Sequence, residues 1–84
     1  QLMYKNRLQE FTSKSDLKFP VYHTVSEGQD HIPKFRSTVW VAGMCYTSQS
    51  TFAQKKVVEQ DATMLALEGI LQRTRNEGLS IANQ

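Results

Sequence analysis

The sequence is poor in the residues that build disulfides and metal centres. Its 84 residues include one cysteine, Cys45, and two histidines. One thiol cannot close an internal disulfide, and one cysteine with two distant histidines does not make a structural zinc site. We therefore expect no metal and no other cofactor, and a reducing compartment inside the cell, either the nucleus or the cytoplasm.

Long apolar runs and a large excess of one charge are also missing. No apolar stretch approaches the ~20 residues that a transmembrane helix needs, and no signal-peptide pattern opens the chain. The net charge is only +2, so any contact with nucleic acid must come from local clusters of basic side chains. This composition predicts one small soluble domain without a membrane partner. Because the chain starts at Gln1 and not at methionine, we interpret it as a domain excised from a longer protein.

Groupings of residues that carry catalysis are not evident either. The acidic residues are scattered singly, no Ser-His-Asp or Cys-His arrangement stands out, and no glycine-rich phosphate loop occurs. The sequence therefore predicts neither an enzyme nor a protein with a small-molecule substrate.

What is present is the periodicity of a mixed domain. Apolar residues at helical spacing predict helices over residues 3–14 and 53–71, and alternating Val-, Tyr- and Thr-rich segments predict strands over residues 21–26, 35–41 and 44–48. Two helices on one face of a three-stranded antiparallel sheet is the layered arrangement that this order favours. The prediction is an α+β domain of order α-β-β-β-α over residues 3–72. Residues 73–84 are a C-terminal extension, either flexible or packed on the domain.

The predicted second helix carries Lys55 and Lys56 in its first turn. A helix N-terminus is positive, so lysine is less favourable there than at the other end, and anions gather there. The pair therefore indicates a polyanionic partner. The alternative is a solvated basic turn without a role.

Four short motifs agree in order and spacing with one known family. They are Leu8-Gln9-Glu10-Phe11, Pro20-Val21-Tyr22, the segment from Gly28 through His31 to Phe35, and Lys55-Lys56. Together they resemble the double-stranded RNA-binding domain over roughly residues 3–71. Within that family the chain looks like the plant proteins that assist dicers in RNA silencing.

The resemblance implies non-catalytic binding of double-stranded RNA by the shape of its A-form helix, in RNA silencing or small-RNA processing. The first helix and the loop between the first two strands would enter successive minor grooves, and the lysine pair would touch phosphates between them. The implied contacts are Lys5, Asn6, Gln9 and Glu10, then Gly28, His31, Pro33 and Lys34, and finally Lys55 and Lys56.

Three positions depart from the family pattern. Val58 stands where alanine is usual, Glu59 where many members have a third lysine, and Met3 where a polar residue can support the first contact. Each change removes or weakens a contact, so we expect RNA binding that is weaker than that of a strong family member.

The outer face of the predicted sheet and its third strand suggest a different partner. The residues concerned are Val21, Val25, Trp40, Met44, Cys45 and Tyr46. An apolar patch around an exposed tryptophan often marks a protein contact, and an edge strand without charge can pair with another chain. The alternative function is therefore association with another double-stranded RNA-binding protein or a dicer-type nuclease, with weak or no RNA binding. Equally, the tail could cover this face, with Leu79 or Ile81 on Trp40.

Overall fold

The computed structural model describes the backbone of residues 3–82 and the side chains of residues 3–77. Its elements are α1 (Tyr4–Lys14), β1 (Val21–Ser26), β2 (Phe35–Val41), β3 (Met44–Thr47) and α2 (Lys55–Ala82). The strands form one antiparallel sheet in the order β1-β2-β3, and both helices lie on one of its faces. The predicted α-β-β-β-α architecture is confirmed.

The core lies between α2 and the inner face of the sheet. Its buried apolar members are Leu8 of α1, Val39 and Val41 of β2, and Val58, Ala62, Ala66 and Ile70 of α2. The small Ala62 and Ala66 side chains let the helix backbone come close to the sheet. These four residues of α2 form one apolar stripe on the sheet, and this packing fixes how the helix presents its polar face.

The connection after α1 shows why that helix ends where it does. The amide of Leu17 donates to the carbonyl of Thr12 at 2.8 Å, and the amide of Asp16 donates to that of Ser13 at 3.3 Å. Asp16 has a φ of 56°, so the chain leaves α1 through a left-handed residue in a Schellman arrangement. Two further residues with positive φ, Ala42 at 54° and Gly43 at 74°, turn β2 into β3.

Helix α2 is longer than the sequence pattern predicted. It runs for 28 residues, to Ala82, and not to residue 71. The apolar stripe does end at Ile70, but no proline or cluster of helix breakers follows, so the backbone continues as a helix, with the side chains of residues 71–77 exposed. An ion pair between Arg73 and Glu77, at 3.3 Å, supports this exposed part. The side chains of Leu79 and Ile81, predicted to cover Trp40, lie outside the described residues.

No helix in the part of the chain that the structure describes is both long and apolar enough to cross a bilayer.

Candidate nucleic-acid interface

Helix α1 presents a polar face next to a buried one. Leu8 and Thr12 are fully buried, and the Thr12 hydroxyl donates to the carbonyl of Gln9 at 2.8 Å. On the opposite side a shallow depression of about 270 Å³ is lined by Asn6, Gln9, Glu10, Ser13 and Phe19. Its amide groups can donate and accept hydrogen bonds, and the carboxylate can accept them. Three of the four predicted α1 contacts therefore lie together and exposed.

Lys5, the fourth predicted contact on α1, lies elsewhere. Its ammonium forms an ion pair with Glu59 of α2 and lies 4.7 Å from the centre of the Tyr22 ring. This places the charge against β1 and α2, with its side chain 42% exposed. Lys5 is thus engaged within the protein, in contrast to the free polar groups beside it.

The Glu59 carboxylate is held by two donors. One oxygen takes the Lys5 ammonium, and the other accepts from the Thr24 hydroxyl at 2.7 Å. Partial burial alone would raise the pKa of Glu59, but these hydrogen bonds and the positive charges of Lys5 and Lys55 outweigh burial and hold the pKa below its usual value. Glu59 is therefore a stable anion at neutral pH. Sequence reasoning missed its role because its partners are 54 and 35 positions away.

The loop between β1 and β2 is closed by its own backbone. The amide of Glu27 donates to the carbonyl of Lys34 at 2.7 Å, and the amide of Ile32 donates to that of Gln29 at 2.9 Å. A Cβ at Gly28 would overlap the carbonyl oxygen of Ile32 and lie 2.9 Å from the amide nitrogen of Lys34. Only glycine fits this close approach, so the predicted importance of Gly28 has a structural reason.

The tip of that loop is open to solvent. His31, Pro33 and Lys34 are exposed, and a depression of about 380 Å³ is lined by Gln29, Asp30, His31 and Ile32. The imidazole and the lysine ammonium lie on a short, internally bonded loop. Such a loop can enter a groove without losing much conformational freedom on binding.

The first turn of α2 carries the predicted phosphate contacts. Lys55 and Lys56 are both exposed, and the Lys55 ammonium lies 5.6 Å from the centre of the Phe35 ring. Phe35, the first residue of β2, pairs with Phe52 through two backbone hydrogen bonds of 2.8 and 3.0 Å. The start of α2 is therefore fastened to the base of the β1–β2 loop.

These contacts join the three predicted regions. The ion pair of Lys5 with Glu59 ties α1 to the second turn of α2, and the Phe35–Phe52 bridge ties the loop to the segment before α2. The first turns of α2 are thus linked both to α1 and to the loop. Nine of the ten predicted RNA-contact residues belong to this exposed or loop-shaping set, and the tenth, Lys5, is paired with Glu59.

The outer face of the sheet has a different character. The register places Val21 opposite Trp40 and Trp40 opposite Cys45, so these three side chains form one row across the strands. Val21 is 61% exposed and Trp40 is 47% exposed. A groove of about 360 Å³ continues from this row; its lining includes Leu17, Phe19 and Met44.

Two other residues predicted for a protein contact, Val25 and Tyr46, do not belong to this apolar row. Val25 is exposed and lies opposite Arg36, away from the apolar row. Tyr46 is half-buried on the helix side, where its hydroxyl donates to the Met44 sulfur at 3.8 Å. The Tyr46 side chain therefore faces α2, and only its backbone at the sheet edge is available to another chain.

Comparison with known proteins shows the family to which the chain belongs. The family model for the double-stranded RNA binding motif matches residues 4–70 of the chain. The chain belongs to the double-stranded RNA-binding domain family. The resemblance to this family that the sequence motifs indicated is thereby confirmed.

Plant proteins are among the relatives of this double-stranded RNA-binding domain. It is 42% identical over 69 residues to double-stranded RNA-binding protein 3 of Oryza sativa subsp. japonica, a match that covers 82% of this chain. It is 43% identical over 65 residues to double-stranded RNA-binding protein 1 of Arabidopsis thaliana, with 77% of this chain covered. The chain spans 16% of the length of each of these relatives.

Solved structures agree with the sequence matches. A structure of Arabidopsis HYL1, described with its molecular implications for miRNA processing, superposes with a TM-score of 0.78 at 40% identity, covering 83% of this chain and 99% of that chain. The first double-stranded RNA-binding domain of DRB4 superposes with a TM-score of 0.77 at 31% identity, covering 83% and 97%. The likeness extends over almost the whole of both domains.

Proposed function

We propose that this domain binds double-stranded RNA by the shape of the A-form helix and performs no catalysis. The observation that carries the proposal is the joining of three exposed polar regions around the first turns of α2. In the proposed complex Asn6, Gln9 and Glu10 meet one minor groove, and the loop bearing His31 meets the next. Lys55 and Lys56 then contact the phosphates between them. A domain of this kind spans about 16 base pairs.

The proposed partner is RNA and not DNA. The A-form minor groove is wide and shallow and displays 2′-hydroxyl groups, which DNA lacks. The Glu10 carboxylate can accept a hydrogen bond from such a hydroxyl but would repel a phosphate. An acidic residue within the polar face of α1 therefore favours groove contact with RNA over simple attraction to phosphates.

The phosphate contact is tested by Lys55→Ala/Lys56→Ala with a duplex of about 20 base pairs, titrated at low and moderate salt. We expect at least about tenfold weaker binding and a salt dependence shallower by roughly two units of slope. Lys18→Ala/Arg75→Ala is a charge-matched control, because Lys18 lies at the outer groove and Arg75 is 20 positions along α2 from Lys55. Wild-type binding that ignores salt, or equal losses in both double variants, would contradict the proposal.

The RNA preference has its own test. The wild-type domain should bind an RNA duplex more tightly than a DNA duplex of the same sequence and length. Equal affinities would contradict the placement of α1 and the loop in minor grooves. A domain without catalysis should leave the RNA intact after prolonged incubation. Cleavage of the RNA would contradict the proposed absence of catalysis.

For the parent protein we propose a role in RNA silencing or small-RNA processing, in the nucleus or the cytoplasm. Support comes from the similarity to HYL1, whose structure was described in connection with miRNA processing. Sequencing of RNA cross-linked to the parent protein in plant cells tests the role. Enrichment of small-RNA precursors is expected, and their absence from the cross-linked pool would count against it.

A second candidate function is protein association through the outer sheet face and β3. The favouring observation is the exposed row of Val21, Trp40 and Cys45. Proposed partners are another double-stranded RNA-binding protein or a dicer-type nuclease. Sedimentation with such a partner should show a complex that Trp40→Thr weakens and Lys55→Ala/Lys56→Ala leaves intact. A complex insensitive to Trp40→Thr would remove the basis for this candidate.

A further inference from the structure

The junction between α1, β1 and α2 is built from polar groups that bond to one another. Besides the two bonds to the Glu59 carboxylate, the Thr63 hydroxyl donates to the Glu59 carbonyl at 2.7 Å. The Tyr22 hydroxyl lies 2.6 Å from the Thr63 hydroxyl, and the Lys5 ammonium lies over the Tyr22 ring. Thr63 is fully buried and Glu59 is half-buried. We call Lys5, Thr24 and Glu59 the α1 latch.

The latch lies where the RNA-contact regions meet. Asn6 follows Lys5 directly, so the latched residue adjoins the polar face of α1. Glu59 lies one helical turn after Lys55, so its carboxylate is fixed relative to the phosphate-contacting lysines. Thr24 lies on β1, the strand that leads into the β1–β2 loop. A rotation of α1 on the domain would have to break the ion pair between Lys5 and Glu59, whereas the Thr24 bond would still hold the carboxylate in place.

We infer that Glu59 is a positioning residue for RNA recognition: through the α1 latch it fixes the polar face of α1 relative to Lys55 and the β1–β2 loop. This inference rests on the proposed function. Under this inference Glu59 favours RNA binding, whereas the sequence comparison treats it as the loss of a phosphate-contacting lysine. Lys5 then has a structural role and does not bind phosphate. The geometry to be fixed is the separation of two successive minor grooves, which differs between A-form RNA and B-form DNA.

The two roles of Glu59 predict opposite effects of Glu59→Lys. If Glu59 is only a missing phosphate contact, the new ammonium should tighten RNA binding and steepen its salt dependence by roughly one unit. If Glu59 positions α1, the new ammonium faces that of Lys5, the Thr24 hydroxyl loses its acceptor, and α1 is displaced. We then expect about tenfold weaker RNA binding, the factor for one charge-assisted hydrogen bond, and a smaller preference for RNA over DNA.

The experiment measures RNA and DNA affinities of the wild type, Glu59→Lys, Lys5→Glu and the exchanged pair Lys5→Glu/Glu59→Lys. The exchanged pair has the net charge of the wild type and can re-form the ion pair. We expect it to recover most of the affinity and the RNA preference that each single change loses. Glu59→Gln, which keeps an acceptor for Thr24, should fall between the wild type and Glu59→Lys.

The outcomes separate the inference from the function on which it rests. A wild type without salt-sensitive RNA binding overturns both. A binding wild type whose Glu59→Lys variant binds RNA more tightly, with an unchanged RNA preference, overturns the positioning role alone. So does an exchanged pair that is no better than the single variants while circular dichroism shows all of them folded. Recovery in the exchanged pair relative to Glu59→Lys supports the latch, because the added Lys5→Glu change lowers the net charge by two units, which by itself would weaken RNA binding.

Discussion

The domain has two contrasting sides. One is the proposed RNA-facing side, formed by the polar residues of α1, the β1–β2 loop, and Lys55 and Lys56; the other is the outer face of the sheet. The RNA-facing side is polar and exposed, but each part is fastened: α1 by Glu59, the loop by the Glu27–Lys34 bond, and the start of α2 by the Phe35–Phe52 bridge. The outer face presents the apolar row of Val21, Trp40 and Cys45 on a regular sheet. Specific contacts fix the geometry of the RNA-facing side, whereas the outer face is the sheet surface that lies away from the two helices.

This difference teaches what each side can recognise. Recognition of an A-form duplex requires three regions at fixed separations, because the grooves of the duplex do not adapt much to the protein. An apolar row needs no such spacing; it can contribute to association wherever a partner excludes water from it. Substitutions that break these contacts should therefore weaken RNA binding, whereas substitutions on the outer face should leave it unchanged.

The largest expected loss of RNA affinity comes from a substitution in the β1–β2 loop. In Gly28→Ala the new Cβ would overlap the carbonyl oxygen of Ile32, so the loop must open, and backbone atoms cannot move aside as a flexible side chain can. We expect at least about tenfold weaker RNA binding from displacement of His31. Fluorescence anisotropy with an RNA duplex measures this, and amide chemical shifts should change mainly in residues 27–34.

A matched glycine at the other end of the sheet is the control. Gly43 has a φ of 74° but no atom within 4 Å of an added Cβ. Gly43→Ala should therefore cost about 1 kcal/mol of stability through backbone strain and leave RNA affinity unchanged. Equal losses of RNA affinity in the two variants would show that the two ends of the sheet are not independent.

The local parts of the RNA-facing side could be predicted from the sequence. The polar positions of α1, the glycine and histidine of the loop, and the lysine pair each follow from short motifs whose spacing is visible along the chain. Strand alternation likewise separated Trp40 from the inner residue Val39. These features depend on residues near one another, so periodicity and turn chemistry suffice to locate them.

The remaining features depend on contacts that spacing does not reveal. The latch joins Lys5 to Glu59 across 54 positions, and the sequence pattern of α2 gave no indication that its acidic residue has a partner on α1. The continuation of α2 to Ala82 was missed because the apolar stripe ends before the helix does. A helix can extend beyond its packed face on propensity and local ion pairs alone, and hydrophobic periodicity does not detect such an extension.

An effect of intermediate size, on stability and not on RNA binding, is expected from a substitution where α2 packs on β3. A Cβ at Gly69 would lie 2.5 Å from the Tyr46 ring and from its hydroxyl oxygen. Gly69→Ala should therefore push the ring away, and we expect a net loss of about 1 kcal/mol in the free energy of unfolding, since helix propensity offsets part of the clash. Urea unfolding measures this loss.

The same substitution sharpens the comparison because the Tyr46 side chain packs against the core on the helix side of the sheet, away from the outer face. RNA affinity of folded Gly69→Ala should equal that of the wild type. In a Tyr46→Leu background, where the ring is gone, Gly69→Ala should instead stabilise the helix. Weaker RNA binding by the folded single variant would mean that β3 packing also controls the RNA-facing side.

The smallest expected effect is a pH dependence confined to the RNA-facing side. Lys5, Lys55 and Tyr22 surround the Glu59 carboxylate, and its pKa is lower in the folded protein than in the unfolded chain. The latch therefore contributes its full stability above about pH 4.3, the ordinary pKa of glutamate, and loses it as the pH falls through the lower folded-state value. The contribution should be less than about 1 kcal/mol, since Lys5 is 42% exposed and its charge is screened by solvent.

Comparison of the wild type with Glu59→Gln isolates this effect, because every other carboxylate titrates in both proteins. The difference in unfolding free energy should be constant from pH 7 to about pH 5 and should shrink below about pH 4.3. Over the same range the amide shifts of α1 should change more in the wild type than in Glu59→Gln. A difference that persists unchanged to pH 3 would mean that the protonated side chain of Glu59 holds Lys5 and Thr24 as well as the carboxylate does, so that the charge of Glu59 does not maintain the latch.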